Sequence, residues 1–204
     1  DGVAKTEEAK QRYLRTIHTK AEDIDRLVSQ LFLYSKLDLE GVPMEMRPIR
    51  LDEFISGFVE ESAPDGRVHG LEITAEYLAP VTVSADPGQL RRVLSNILEN
   101  SIKYKSREMG HLRITLEESG RLTLADDGPG VPEEALPKLF DVFYRSDPAR
   151  KNPAGGSGLG LAIAAKAVQG MGGTIRARNG SGGGLSIEIT LPREGSQDAE
   201  NSDY

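Results

Sequence analysis

Three polar side chains follow one edge of an amphipathic segment, residues 90–105, with the sequence LRRVLSNILENSIKYK. On a helix, Asn96, Asn100 and Lys103 share a strip beside the apolar face, because residues three and four apart lie above one another. A carboxamide oxygen can bind a hard cation and leave its charge free for phosphates, which a nearby lysine can also reach. Two asparagines alone would equally be typical of a solvated surface. The apolar face comprises Leu90, Val93, Leu94, Ile97, Leu98 and Ser101.

A second stretch, ADDGPGVP, follows a predicted strand at residues 125–132. Asp126 would place a carboxylate at the end of this strand, next to backbone that Gly128 and Gly130 leave without side chains. A flat ligand could approach this backbone closely while donating an amino hydrogen to the carboxylate. The same letters are also typical of a simple Asp-Gly turn.

A third stretch, GGSGLGLAIAAKAV at residues 155–168, runs from glycines directly into a predicted helix. The free amides and the positive dipole end of such a helix suit a phosphate chain. The pattern is not a Walker loop, since no Gly-Lys-Ser/Thr follows. It is not a dinucleotide fingerprint either, since no parallel βαβ unit surrounds it.

A fourth stretch, LFDVFYRSD, leads into a Pro- and Gly-rich segment at residues 147–158. Phe140 and Phe143 are predicted to anchor this segment, and Arg145 would project into it. Phenylalanines are also typical of a core, and a single arginine is typical of a solvated surface. Taken alone, this stretch therefore indicates no particular function.

Residues 6–38 predict one long amphipathic helix, since they contain no Gly or Pro and are rich in helix formers. Their apolar residues recur at spacings of three and four, which forms a heptad seam. Such a helix needs an apolar partner, which could be a second helix, a second copy of itself or the core of its own domain. Gly41 and Pro43 end the helix, and we place a domain boundary there. The seam comprises Leu14, Ile17, Ala21, Ile24, Val28 and Leu31.

The remainder of the chain predicts short strands and shorter helices. Asp86, followed by Pro87 and by Gln89, is a capping signature for the helix that contains residues 90–105. We expect an α+β fold, a two-layer sandwich of a mixed, mainly antiparallel sheet with helices on one face, preceded by the long helix. The other expected elements are an edge strand at 44–50 broken by Pro48, a helix from 51, strands 71–78 and 81–85 turning near Pro80, hairpins within 111–127 and 173–192, and helices near 133–140 and 159–170.

Composition excludes several classes of function. A net charge of −7 argues against general nucleic-acid binding, which needs a basic surface. The absence of cysteine excludes disulfides and thiolate metal sites. No apolar run approaches the roughly 18 residues of a membrane span. We therefore expect a soluble chain, attached to a membrane only through further parts of a longer protein.

In this order and with these gaps, the four stretches resemble the catalytic ATP-binding domain of sensor histidine kinases. That domain belongs to a wider group with gyrase, the ninety-kilodalton heat-shock chaperone and the MutL mismatch-repair protein. The likeness covers about residues 44–192, and four stretches in order are far more specific than one. It implies that residues 1–40 are the second helix of a dimerisation and phosphotransfer hairpin and that 41–193 are the catalytic domain. The polar tail, 194–204, is expected to be disordered.

The resemblance implies that the chain binds ATP and Mg²⁺ through two of these stretches. Asn96 and Asn100 match the asparagine box, with Asn100 as a Mg²⁺ ligand. Lys103 would contact the phosphates and Tyr104 the adenine. Asp126 would accept a hydrogen bond from the adenine amino group, while Gly128 and Gly130 permit close approach.

The other two stretches would complete the nucleotide site. By the same resemblance, Phe140, Phe143 and Arg145 match the phenylalanine box. Gly156, Gly158 and Gly160, with Leu159 between them, match a second glycine box. This box would close a mobile lid formed by roughly residues 141–158.

One position bears on the reaction within this group. Hydrolysing relatives have a glutamate, the general base for water, four residues before the metal-binding asparagine, whereas this chain has Asn96. We therefore expect phosphoryl transfer to a protein acceptor, a reaction that depends mainly on positioning and charge neutralisation. Ser101 stands where the family usually has a small apolar residue, and we do not expect this departure to touch the nucleotide.

The family's acceptor histidine lies on the first helix of an antiparallel hairpin, and two hairpins form a four-helix bundle. Residues 6–38 resemble the second helix, so we expect the acceptor outside this chain. His18, His69 and His111 all lack the acid and the proline that follow an acceptor.

The resemblance also implies partners, a location and alternatives. The partners would be ATP, the protein's own phosphoacceptor helix, a response regulator and, in the full-length protein, a second copy, with no nucleic acid. The location would be cytoplasmic. Alternatives are an ATPase or an anti-sigma-type serine kinase with the same pocket, and a nucleotide-responsive interaction module without enzymatic activity.

Overall fold

The fold is known from a computed structural model, which describes residues 6–39, 43–77, 80–146 and 157–193. Helices and strands alternate irregularly along the chain, as expected for an α+β protein. The helices are α1 (Glu7–Leu39), α2 (Leu51–Val68), α3 (Pro87–Tyr104) and α4 (Gly160–Gly170), with a 3₁₀ helix at Glu133–Lys138. The strands are β1 (Arg47–Arg50), β2 (Leu71–Tyr77), β3 (Thr82–Ala85), β4 (Gly110–Leu116), β5 (Arg121–Asp126), β6 (Thr174–Asn179) and β7 (Leu185–Thr190).

The main sheet has five strands in the order β2-β4-β5-β7-β6. The β2–β4 pair is parallel, and the other three pairs are antiparallel. The two predicted hairpins, β4–β5 and β6–β7, are both present. The expected α+β class with a mixed, mainly antiparallel sheet is therefore confirmed.

β2 and β3, the two strands expected to turn near Pro80, do not pair with each other. β3 pairs instead with β1 in a separate two-stranded sheet, and β2 runs parallel to β4. Parallel neighbours need a long crossover, and here β3 and α3 form that connection. Alternating residues reveal which face of a strand is buried but not which strand lies beside it.

The strand at β1 runs through Pro48, which was expected to break it, and Pro48 lies opposite Ser84 of β3. A proline is tolerated there because β1 belongs to a two-stranded sheet and has one free edge.

The core lies between the main sheet and helices α2, α3 and α4. The predicted apolar face of α3 is buried, including Ser101. α4 is buried along most of its length, since small alanines let it pack closely against α3. α3 therefore packs against both α4 and the main sheet.

The predicted seam of α1 is confirmed as a continuous apolar stripe, but it does not lie on the core of the domain. Near its C-terminal end α1 contacts α4: Ser157 Oγ donates a hydrogen bond to Gln30 Oε1 at 2.7 Å. Lys166 Nζ lies 6.0 Å from the ring centre of Tyr34. No helix among the described residues is both long and apolar enough to cross a membrane. Exposed apolar side chains on α1 are Tyr13, Leu14, Ile17, Ile24, Leu27, Val28, Leu31 and Phe32.

The start of α3 depends on Asp86, the predicted cap. Its Oδ1 accepts hydrogen bonds from Gly88 N at 2.8 Å and Gln89 N at 3.0 Å, and its Oδ2 accepts one from Glu45 N at 2.9 Å. Partial burial by itself would raise the pKa of Asp86. The three amides and the positive charge of Arg92 together outweigh burial, so the pKa lies below the ordinary value of 3.8.

We expect Asp86→Ala to lower the free energy of unfolding by about 1 kcal/mol, because α3 loses its cap. A carboxyl whose folded pKa is lowered stabilises the fold fully above its unfolded pKa and loses this effect as the pH falls through the folded value. Asp86→Asn, which cannot titrate, should therefore lose less stability on acidification below about pH 4. Urea denaturation between pH 3 and 7 measures both effects, and identical midpoints for all three proteins would contradict them.

Candidate functional site

The polar strip of α3 carries two carboxamides without hydrogen-bond partners in the described part of the chain. Asn96 and Asn100 are both partly buried at the margin of the core. Lys103 lies on the same strip, and its pKa is lowered, first by burial and then by the positive charge of Arg145, although Glu99 opposes this. A partly buried ammonium that is affected by the charge of a guanidinium is a site where an anion would be stabilising.

The strip meets the start of α4. A β-carbon at Gly160 would lie 3.3 Å from Asn96 Oδ1, so this glycine lets the two helices approach each other beside the asparagine. The first and third sequence stretches therefore meet in space, although Asn96 and Gly160 are far apart in the chain.

Asp126 connects the end of β5 to two other elements. Its Oδ1 accepts hydrogen bonds from Gly128 N at 2.9 Å and from Leu185 N at 3.0 Å. On α3, Ser101 Oγ lies 3.2 Å from Ile97 O and 3.4 Å from Asp126 Oδ2, so its single hydrogen can serve either acceptor. Oδ2 accepts no backbone amide among the described residues and can still accept a hydrogen bond from a ligand.

Ser101 is a residue whose role sequence reasoning missed. We expected Ser101 not to touch the nucleotide, and the structure adds a contact within the protein, since its hydroxyl is buried beside the Asp126 carboxylate. The available signal was a hydroxyl on an otherwise apolar helix face, directly after Asn100, since buried polar groups need partners.

The glycines after Asp126 pack against the protein itself. A β-carbon at Gly128 would lie 2.9 Å from Asp126 Oδ1 and 3.3 Å from Tyr104 O. Gly130 has φ 68°, and a β-carbon there would lie 2.8 Å from Asn179 Oδ1. The sequence suggested that a ligand requires these glycines, but close internal packing already requires them.

Tyr104 follows Lys103 at the end of α3. Its side chain is partly exposed, and Lys103 Nζ lies 5.3 Å from its ring centre. The backbone carbonyl of Tyr104 lies near Gly128, so the end of α3 approaches the segment that follows Asp126.

Phe143 and Gly158 hold the ends of the intervening loop together. Phe143 N donates a hydrogen bond to Gly158 O at 3.0 Å, and both residues have positive φ, 63° and 72°. A β-carbon at Gly158 would lie 2.8 Å from Phe143 Cα. The Phe143 side chain is exposed, whereas Phe140 packs against the core.

Two candidate residues of the glycine-rich stretch are Gly156 and Leu159. Gly156 lies outside the described residues, as does most of the predicted lid at 141–158. Leu159 is fully buried.

Comparisons with known proteins agree with this arrangement. Residues 85–195 match the family described as histidine kinase-, DNA gyrase B- and HSP90-like ATPases. The chain belongs to this family. The match covers more than half of the chain and includes the end of β5, α3 and α4.

Two sensor kinases are similar to nearly the whole chain. The sensor histidine kinase WalK of Bacillus subtilis (strain 168) is 32% identical over 97% of this chain and 33% of its own length. The histidine-protein kinase BaeS of Escherichia coli (strain K12) is 33% identical over 88% of this chain and 39% of its own. This ATPase-family chain therefore spans well under half the length of these relatives.

One solved structure is similar to nearly the whole chain. Full-length ShkA, crystallised in complex with AMPPNP, superimposes with a TM-score of 0.73 at 25% identity, covering 92% of this chain and 39% of ShkA. The ATPase-family domain and the helix before it are therefore similar to part of several histidine kinases.

We expect Lys103 to make nucleotide binding sensitive to alkaline pH. Its ammonium can attract phosphates only while protonated, and its pKa lies below the ordinary 10.5. The affinity for ATP should therefore be highest at pH values below this lowered pKa and should fall as the pH rises through it. We expect the affinity of Lys103→Arg for ATP to stay constant between pH 8 and 10.5, because a guanidinium remains charged.

Equilibrium titration with a fluorescent ATP analogue measures this at each pH. Parallel curves for the unchanged chain and Lys103→Arg would show that Lys103 does not contact the phosphates.

Proposed function

We propose that this chain is the ATP-binding catalytic portion of a sensor histidine kinase, which transfers the γ-phosphoryl group of ATP to a histidine for relay to a response regulator. The observation that carries the proposal is the meeting of Asn96 with Gly160 and of Ser101 with Asp126, which joins three of the four stretches around α3. WalK, a sensor histidine kinase, is similar to 97% of the chain, including α1.

The adenine end of the site centres on Asp126. Its Oδ2 would accept a hydrogen bond from the adenine amino group while Oδ1 stays fixed by two backbone amides. Tyr104 would contact the adenine from the end of α3. Gly128 and Gly130 would leave the backbone open to the ring.

The phosphate end lies towards Lys103 and α4. Lys103 and Arg145 would neutralise the phosphates, which explains why two positive groups lie close enough to affect each other. Gly156, Gly158, Leu159 and Gly160 would contribute backbone groups at the start of α4. Phe143 would hold the lid end in place.

The donor set fits a magnesium ion that is held mainly by its nucleotide. Asn100 offers one carboxamide oxygen, and the described residues contain no cluster of three or more acidic or histidine side chains that could hold a metal. Mg²⁺ commonly takes few protein ligands and fills its shell with phosphates and water. Bound there, it would neutralise charge on the phosphates.

In the proposed reaction an imidazole nitrogen of the acceptor attacks the γ-phosphorus and gives up its proton. The bond from that phosphorus to the β-phosphate oxygen breaks, and ADP leaves. Asn96, in the position of a hydrolytic glutamate, cannot serve as a strong base for water, which favours transfer over hydrolysis. The ATPase, serine kinase and interaction-module alternatives have no specific observation in their favour.

The proposed acceptor lies on a partner helix rather than in this chain. His18, on α1, is exposed, and its Nδ1 lies 3.5 Å from Glu22 Oε1. The exposed apolar stripe of α1 is the surface that a phosphoacceptor hairpin and a second copy would cover, and a homodimer with a cytoplasmic location is part of the proposal.

Asp126→Asn and Asn100→Ala should each weaken binding of a fluorescent ATP analogue. The first replaces a charged acceptor with an amide, at a cost of about 1.5–3 kcal/mol, or at least about tenfold in Kd. The second should remove most of the affinity gained on adding Mg²⁺. Equilibrium binding with and without Mg²⁺ measures both effects.

Asp127→Asn is a matched control, since Asp127 accepts a hydrogen bond from His111 N at 2.9 Å, away from the proposed nucleotide contacts. Its affinity should stay within about twofold of the unchanged chain. Equal affinities for all of these proteins would refute the site assignment.

Radiolabelled ATP tests the reaction itself. With a separately produced helical hairpin that carries an acceptor histidine, the chain should transfer label to the hairpin in a linkage that acid hydrolyses and base does not. Replacing that histidine with glutamine should abolish the label. The chain alone should incorporate none, whereas steady release of phosphate, or label on a serine, would support the alternatives.

A further inference from the structure

Asn179, the last residue of β6, forms hydrogen bonds with both backbone groups of Val131. Its Oδ1 accepts from Val131 N at 3.0 Å, and its Nδ2 donates to Val131 O at 2.8 Å. Nδ2 also donates to Glu133 Oε1 at 3.0 Å. The carboxamide thus pairs with Val131 as a neighbouring strand would, and its orientation is fixed because Val131 N needs an acceptor and Val131 O needs a donor.

The same hairpin also holds the other end of this segment. Asn179 lies opposite Leu185 in the β6–β7 pair, and Leu185 N donates to Asp126 Oδ1 at 3.0 Å. A β-carbon at Gly184 would collide with the carbonyl oxygen of Asp126. The β6–β7 hairpin therefore fixes residues 126–131 at both ends.

Segment 126–131 has few internal contacts that would stabilise its conformation. Gly128 and Gly130 carry no side chains to pack, and glycine has the largest backbone freedom to lose on ordering. Gly130 also has a positive φ and lies directly against Asn179 Oδ1. Within the segment, Gly128 N donates to Asp126 Oδ1, and the two hydrogen bonds with Asn179 hold Val131 at the end distant from Asp126.

We propose that Asn179 is a positioning residue that sets the preference for adenine, by holding residues 128–131 so that a base aligns with Asp126 Oδ2. This inference rests on the proposed nucleotide site. Asn179 acts through Val131 and touches neither the base nor the phosphates. Its loss should therefore affect the recognition of the base more than the binding of phosphates.

The experiment compares ATP with inosine triphosphate, which has a carbonyl acceptor in place of the adenine amino group, so that the group facing Asp126 Oδ2 no longer donates a hydrogen bond. Each nucleotide is titrated as a competitor of a fluorescent ATP analogue. The unchanged chain should prefer ATP. Asn179→Ala should weaken ATP binding about tenfold, leave inosine triphosphate within about twofold and so reduce the preference about tenfold.

Glu133→Ala is the matched control, because it removes one hydrogen bond of Asn179 and leaves both bonds to Val131 intact. It should retain the preference for ATP. Circular dichroism checks that each variant is folded, and Asn179→Ser replaces Asn179→Ala in the comparison if the alanine variant does not fold.

The outcomes separate this inference from the function on which it rests. An unchanged preference in the Asn179 variant, or an equal loss of both nucleotides, would overturn the positioning role while leaving ATP binding in place. Failure of the unchanged chain to bind ATP at all would overturn both.

Discussion

The carboxylate of Asp126 holds the candidate site together, because it is where β5, α3 and the β6–β7 hairpin meet. Two backbone amides, Gly128 N and Leu185 N, donate to one of its oxygens. The buried hydroxyl of Ser101 lies beside the other. A carboxylate bound in this way has a fixed direction, since rotation would break two charge-assisted hydrogen bonds. Oδ1 therefore holds the backbone of the site in place, and Oδ2 remains available to accept a hydrogen bond from a ligand.

The glycines around this carboxylate are required by the packing of the protein itself, whether or not a ligand is bound. At Gly128, Gly130 and Gly158, a side chain would meet atoms of the protein itself within 3 Å. The chain approaches itself closely at these points, which brings backbone from distant segments to one place. Open backbone for a nucleotide is then a consequence of tight packing, and it comes with the entropic cost of ordering glycine.

Charge is distributed unevenly over the molecule. The whole chain carries −7, yet the pKa of Lys103 is lowered first by burial and then by the positive charge of Arg145. Like charges are destabilising when they are held together, so such a pair is typical of a site that binds an anion. The apolar stripe of α1 is a second surface whose composition indicates a partner, since so many apolar side chains on one exposed helix are costly in water.

The sequence by itself determined the elements of this fold and which of their residues are buried. The face of α3, the Asp86 cap and the two hairpins could be predicted because each depends on residues only a few positions apart. The order of the four stretches was enough to indicate the family. Only the tertiary structure decided that β2 pairs with β4, that Ser101 lies beside Asp126, 25 residues away, and that Asn179 holds Val131, 48 residues away. These contacts depend on how layers pack, and residue periodicity carries no information about which distant segments become neighbours.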